Sequence, residues 1–86
     1  EVQIAGHRVL TGLMATYCQA VANTHGRDHH ARADQMILAL LPERFRKNRD
    51  TLYRKLLGVC DYVAGMTDSY AVSLYKKITG ISLPVN

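Results

Sequence analysis

The sequence predicts an all-α fold of about four helices packed as an irregular bundle. Three observations carry this. Apolar residues recur at steps of three and four along most of the chain, the spacing of one helical face. No segment shows the strict alternation of a half-buried strand. Pro42, Gly65, Thr67, Gly80 and Pro84 fall between the periodic stretches or at their ends.

The first helix is expected at Val2–Asn23. Gly6, Leu10, Leu13, Met14, Tyr17 and Val21 share one face, while Arg8, Thr16 and Gln19 fall elsewhere. Gly6 and Gly12 each cost about 1 kcal/mol relative to Ala in a helix interior, which points to close approach of a neighbouring helix there. Asn23 ends the helix, since Asn tolerates a left-handed cap. Residues 24–32 are polar and aperiodic and read as a mobile surface loop.

A short second helix is expected at Ala33–Leu41. Pro42 stops it or starts the next turn, because the residue before proline is pushed out of helical geometry. Glu43–Asn48 reads as a connector or a single helical turn. The third helix should run from Arg49 or Asp50 to Ala64, with Leu52, Leu56, Val59, Cys60 and Val63 as its stripe. Gly65 interrupts it, and Thr67 caps a fourth helix over Asp68–Thr79. Asp68 in its first turn suits the positive end of the helix dipole. Ala71, Leu74, Tyr75 and Ile78 face inward, Lys76 and Lys77 occupy the last turn, and Gly80 and Pro84 mark the end. Tyr62, Tyr70 and Tyr75 are read as mostly core, with hydroxyls at the edge.

At 86 residues and 48% hydrophobic content, the chain is one small domain or a piece of a larger one. Its composition excludes intrinsic disorder. Its longest apolar run, Met36–Leu41, is far below the ~20 residues of a membrane span. No signal-peptide pattern is present. The periodic pattern is already running by Val2 with no cap in front, so the chain reads as a C-terminal portion of a longer protein. Cys18 and Cys60 lie in apolar stripes and read as reduced core thiols of a cytoplasmic protein.

Charge is uneven. Residues 1–43 carry a net −1 and residues 44–86 a net +5. The densest basic run holds Arg44, Arg46, Lys47, Arg49, Arg54 and Lys55, interleaved with Phe45 and Tyr53. Arginine beside aromatic rings suits phosphate and base contacts. A solvated face and an oligomer interface are the competing readings. Arg44, Arg46, Lys47 and Arg49 are the candidate phosphate-binding residues. His25, Asp28, His29 and His30 form the only His/Asp cluster, but loop residues without helical spacing are weak metal ligands, and no metal site is assigned. Thr67 and Asp68 are explained by capping. No Ser/His/Asp triad spacing, phosphate-cradling Gly loop or paired-carboxylate motif occurs, so no catalytic residue is assigned.

Three segments carry a family resemblance. Val59-Cys60-Asp61-Tyr62-Val63-Ala64-Gly65-Met66-Thr67-Asp68-Ser69-Tyr70-Ala71 is similar to the C-terminal end of bacterial deoxyguanosine triphosphate triphosphohydrolases of the HD superfamily, most specifically at Gly65-Met66-Thr67-Asp68-x-Tyr70-Ala71. Glu1–Leu13 resembles the helix that opens that region, and Leu41-Pro42-Glu43-x-Phe45-Arg46 its middle. The matches come in the family order and reach nearly end to end. His7 departs from the pattern, which has Tyr there.

The resemblance implies a parent enzyme that hydrolyses a deoxynucleoside triphosphate to the deoxynucleoside and tripolyphosphate. Its divalent metal, Mg or Mn, would be held by an upstream HD domain whose ligand pattern is not in this chain. Residues 1–86 would be a non-catalytic helical extension that packs on the HD domain of the same chain, helps form a homo-oligomer and lends basic residues to the deoxynucleotide. The alternatives are a stand-alone helical module that binds single-stranded nucleic acid, or a dimerisation domain.

Overall fold

The computed structural model describes the backbone of residues 2–82 and the side chains of residues 7–81. Five helices follow one another: α1 Val2–Thr24, α2 Arg32–Ala39, α3 Glu43–Arg46, α4 Leu52–Ala64 and α5 Asp68–Ser82. No strand occurs among the described residues. The all-α expectation holds, with the Glu43–Asn48 connector forming the one-turn α3.

The long α1 is the axis on which α2, α4 and α5 pack, while α3 rests on α4. Leu13, Tyr17, Ala20 and Val21 bury one face of α1. They meet Ile37 and Leu41, then Val59, Tyr62 and Val63 of α4, then Ala71, Leu74 and Ile78 of α5, in one continuous core. Full burial of a Leu, Ile or Val side chain contributes about 1.5–3 kcal/mol, so these positions hold the bundle together. Gly12 serves the close approach expected of it: a Cβ there would sit 2.5 Å from Cε1 of Tyr75 on α5. The packing at Gly6 lies outside the described side chains.

Local chemistry sets the boundaries. The Thr24 hydroxyl donates to the Ala20 carbonyl at 2.9 Å, carrying α1 one residue past Asn23. α2 ends at Ala39, where Leu40 and Leu41 tighten into a turn through bonds to Ile37 and Leu38. α4 begins at Leu52, later than Arg49 or Asp50, because Thr51 is the cap: its side chain accepts the Arg54 amide at 3.1 Å. Thr67 does the same for α5, accepting the Tyr70 amide at 3.2 Å.

Several expectations are corrected. Gly80 does not end the last helix, which runs to Ser82. Ile78 is buried and Ile81 packs against the core, so the apolar stripe continues across the glycine and outweighs its propensity penalty. Lys76 and Lys77 are therefore mid-helix, not in the last turn. Cys60 is exposed and Cys18 only half-buried. Val59 points inward, and a rotation of about 100° per residue turns Cys60 to the outside. Leu10 and Leu52 also lie at the outer margins of their stripes, and Tyr70 is about half exposed.

Candidate functional site

The connector between α2 and α4 carries the basic run, and its path is defined residue by residue. Pro42 is extended (φ −59°, ψ 148°) and precedes the single turn of α3. That turn is closed by bonds from the Phe45 amide to the Pro42 carbonyl and from the Lys47 amide to the Glu43 carbonyl. Asn48 then adopts φ 61°, a left-handed conformation that Asn tolerates better than most residues. This reverses the chain toward α4.

Arg49 straps the connector to α4. It donates from Nη1 to the Arg54 carbonyl at 2.9 Å, and Nη2 lies 3.9 Å from the Asp61 carboxylate. Its stem crosses α4 at Gly58, where a Cβ would collide with the Phe45 carbonyl and crowd Arg49 Nε and Cδ. Arg46 donates Nε–H to the Leu41 carbonyl at 2.8 Å, satisfying the frayed end of α2. Arg44 stacks its guanidinium 4.8 Å from the Phe45 ring centroid, within cation–π range. Lys47 is exposed. The four sequence candidates thus divide. Arg44 and Lys47 present charge to solvent, while Arg46 and Arg49 each bond a carbonyl of their own chain.

Beside Arg44 lies a groove of about 360 Å³ lined by Pro42, Phe45, Tyr62, Gly65, Met66, Thr67 and Tyr70. Its lining joins the Leu41–Arg46 segment to the Gly65–Ala71 segment, two of the three stretches singled out in the sequence. Phe45 packs on Tyr62 with centroids 5.1 Å apart, and Tyr62 meets Tyr17 and Tyr70 edge-on at 6.0 and 6.2 Å. The Tyr62 and Tyr70 hydroxyls bond each other at 2.5 Å. Burial pushes the Tyr62 phenol well above its ordinary pKa, and the hydrogen bond to Tyr70 adds to that. Burial likewise raises Tyr17. The Thr67 hydroxyl is engaged with the Tyr70 amide. The groove therefore offers a cation, aromatic faces and satisfied hydroxyls, with no nucleophile–base pair.

The histidine loop is tied down. Lys55 Nζ donates to His25 Nδ1 at 3.0 Å, His30 Nε2–H donates to the Arg27 carbonyl at 2.8 Å, and Gln35 Nε2 donates to the His30 carbonyl at 2.9 Å. Among the described residues, no three His, Cys, Asp or Glu side chains converge as metal ligands. No helix among the described residues is long and apolar enough to cross a membrane. Gly58 and Thr51 escaped the sequence reading. The signal for Gly58 was a glycine inside the apolar stripe of α4, beside the basic run.

Helical bundle and groove together define a small all-α module with exposed cations on one connector. Residues 2–77 match the phosphohydrolase-associated domain, and the chain belongs to that family. It is 33% identical to a deoxyguanosinetriphosphate triphosphohydrolase-like protein of Listeria monocytogenes, over 95% of this chain and 20% of that protein. Proteins of the same name from Pseudomonas aeruginosa and Synechocystis are 34% and 35% identical, over 95% and 96% of this chain and 18% of theirs. The chain thus spans about a fifth of the length of these relatives. No solved structure matches it.

Proposed function

We propose that this domain is the C-terminal helical part of a deoxynucleoside triphosphate triphosphohydrolase, and that it is itself non-catalytic. The observation that carries the reading is the match of nearly the whole chain to one fifth of proteins named for that activity. In this reading an HD domain earlier in the same chain holds the divalent metal and performs the hydrolysis, in the cytoplasm. The present domain packs on it, supports a homo-oligomer and contributes cations toward the triphosphate.

Two features support the packing and phosphate roles. Leu52, Tyr53 and Leu57 at the start of α4 are exposed, Tyr53 by 71%, which is more apolar surface than one small helix needs to show water. Arg44 and Lys47, on the connector before α4, are exposed and have no acidic partner in hydrogen-bond contact among the described residues. The test is an assay of tripolyphosphate release from dGTP with manganese. The 86-residue chain alone should release none, and the chain carrying its upstream domain should release it. Metal-dependent release by the domain alone would overturn the non-catalytic role. Failure of the longer protein on every deoxynucleoside triphosphate would overturn the parent activity.

A further inference from the structure

We propose that Cys18 and Cys60 form an oxidant-responsive dithiol, a modification site that closes a disulfide between α1 and α4. The geometry comes from helix register. His25 meets Lys55, and Tyr17 meets Tyr62, so α1 and α4 run antiparallel. The same register sets Cys18 level with Asp61 or Tyr62, and Cys60 level with Gln19 or Ala20. The two cysteines therefore lie within about 2–3 Å of each other along the helix axes, at ~1.5 Å per residue.

Both are on the rim of the seam. Their neighbours Tyr17 and Val59 are completely buried within it, whereas Cys18 is half-buried against the core and Cys60 is exposed. Helices in contact lie about 8–10 Å apart axis to axis, and a disulfide joins Cα atoms about 4.4–6.8 Å apart. Closing the bridge therefore requires α1 and α4 to rotate toward each other at this rim. Their proximity has an electrostatic sign: burial raises the Cys18 thiol pKa, and Cys60 raises it further.

The division of labour follows from exposure. A peroxide reaches Cys60 first. Its thiolate sulfur attacks one peroxide oxygen, the O–O bond breaks, and the products are a sulfenic acid and water. The half-buried Cys18 sulfur then attacks the Cys60 sulfur, the S–O bond breaks, and the hydroxyl leaves with the Cys18 thiol proton as a second water. The two thiols lose two hydrogens and two electrons, and the peroxide gains them.

The experiment treats the 86-residue chain with a slight excess of hydrogen peroxide and reads the intact and tryptic masses without reductant. A monomer that has lost two hydrogens, with a Cys18–Cys60 linked peptide, is the expected result. The oxidised monomer should also melt at higher temperature than the reduced one, because the bridge closes a loop through α2 and α3. Reductant should reverse both changes. Cys60→Ser, at an exposed position, should abolish the linked peptide while leaving helical content unchanged. Over-oxidation of Cys60 with Cys18 left as a free thiol, or only intermolecular Cys60 dimers, would overturn the assignment.

Discussion

Tyr62 on α4 and Tyr70 on α5 share a hydroxyl–hydroxyl hydrogen bond of 2.5 Å that spans the turn between their helices. The turn itself holds only Gly65, Met66 and Thr67, so this bond and the Thr67 cap fix the angle between α4 and α5. Tyr70→Phe removes one partner and should lower stability by about 0.5–1.5 kcal/mol. The pH dependence has a defined sign. The Tyr62 pKa is raised in the folded state, so the unfolded chain loses its phenolic proton first. The stabilisation is complete below the ordinary phenol pKa of about 10 and declines as pH climbs above it. Denaturant titrations at about pH 8 and pH 11 should show this decline in the parent and less of it in Tyr70→Phe. Equal declines would show that the pair is not coupled.

Tyr17 presents the opposite case. It is fully buried, and its hydroxyl has no hydrogen-bond partner among the described residues. Its ring nevertheless packs edge-on against Tyr62. Tyr17→Phe keeps the ring and deletes the orphan hydroxyl, whose burial costs about 1–3 kcal/mol. The variant should melt no lower than the parent, and thermal denaturation by circular dichroism checks it. A loss of more than about 1 kcal/mol would mean that the hydroxyl is engaged in solution.

Two glycines at α4 should respond in opposite ways. Gly58 is where the Phe45 carbonyl and the Arg49 stem cross the helix, and a Cβ has no room there. Gly58→Ala should cost about 1–3 kcal/mol by overpacking and should loosen the basic connector. Gly65 has φ −92° and ψ 3°, which other residues adopt, and a Cβ would make only ordinary contacts at 3.7 and 3.9 Å. Gly65→Ala should be neutral or stabilise by about 0.4–1 kcal/mol through the unfolded chain. Chemical denaturation of both variants in one experiment tests the contrast, and a reversed order would refute it.

These glycines show what the sequence revealed and what it hid. Periodicity located every long helix, since burial of one face is a strong, local and repetitive signal. Thr67 was legible as a cap because a capping residue followed by an acid has a local mechanism. The interruption at Gly65 was also legible, and it coincides with the Thr67 cap and the tyrosine pair rather than with any conformation reserved for glycine. Gly80 misled for a related reason, because a single propensity penalty of about 1 kcal/mol is outweighed by burial on both sides of it. Cys60 and Leu52 were misplaced because the width of an apolar stripe depends on how many neighbours cover it. The basic run was visible as charge. Its division into straps and solvent-facing cations was not, since that depends on the turn at Asn48 and the crossing at Gly58, which are tertiary facts.

That division gives the sharpest test of the candidate site. Arg44 and Lys47 face solvent, whereas Arg49 is only 23% exposed at its side chain and holds α4 through Arg54 and Asp61. Six cations stand between Arg44 and Lys55, with Glu43 and Asp50 the acids nearest in sequence. Such a face attracts polyanions by counterion release, so tripolyphosphate and single-stranded DNA should both bind weakly, without sequence preference and less well as salt rises. Arg44→Ala combined with Lys47→Ala should weaken binding with the melting temperature unchanged. The same double variant should flatten the salt dependence, by up to about one unit of log–log slope for each phosphate that is no longer neutralised. Arg49→Ala should do the reverse: lower stability, because a buried stem and a carbonyl bond disappear, with a smaller effect on binding per charge removed. Titrations by fluorescence anisotropy at low and at physiological salt, paired with thermal melts, separate the two classes. Binding that ignores salt, or a double variant that unfolds, would show that Arg44 and Lys47 are structural and that the face does not recognise phosphate.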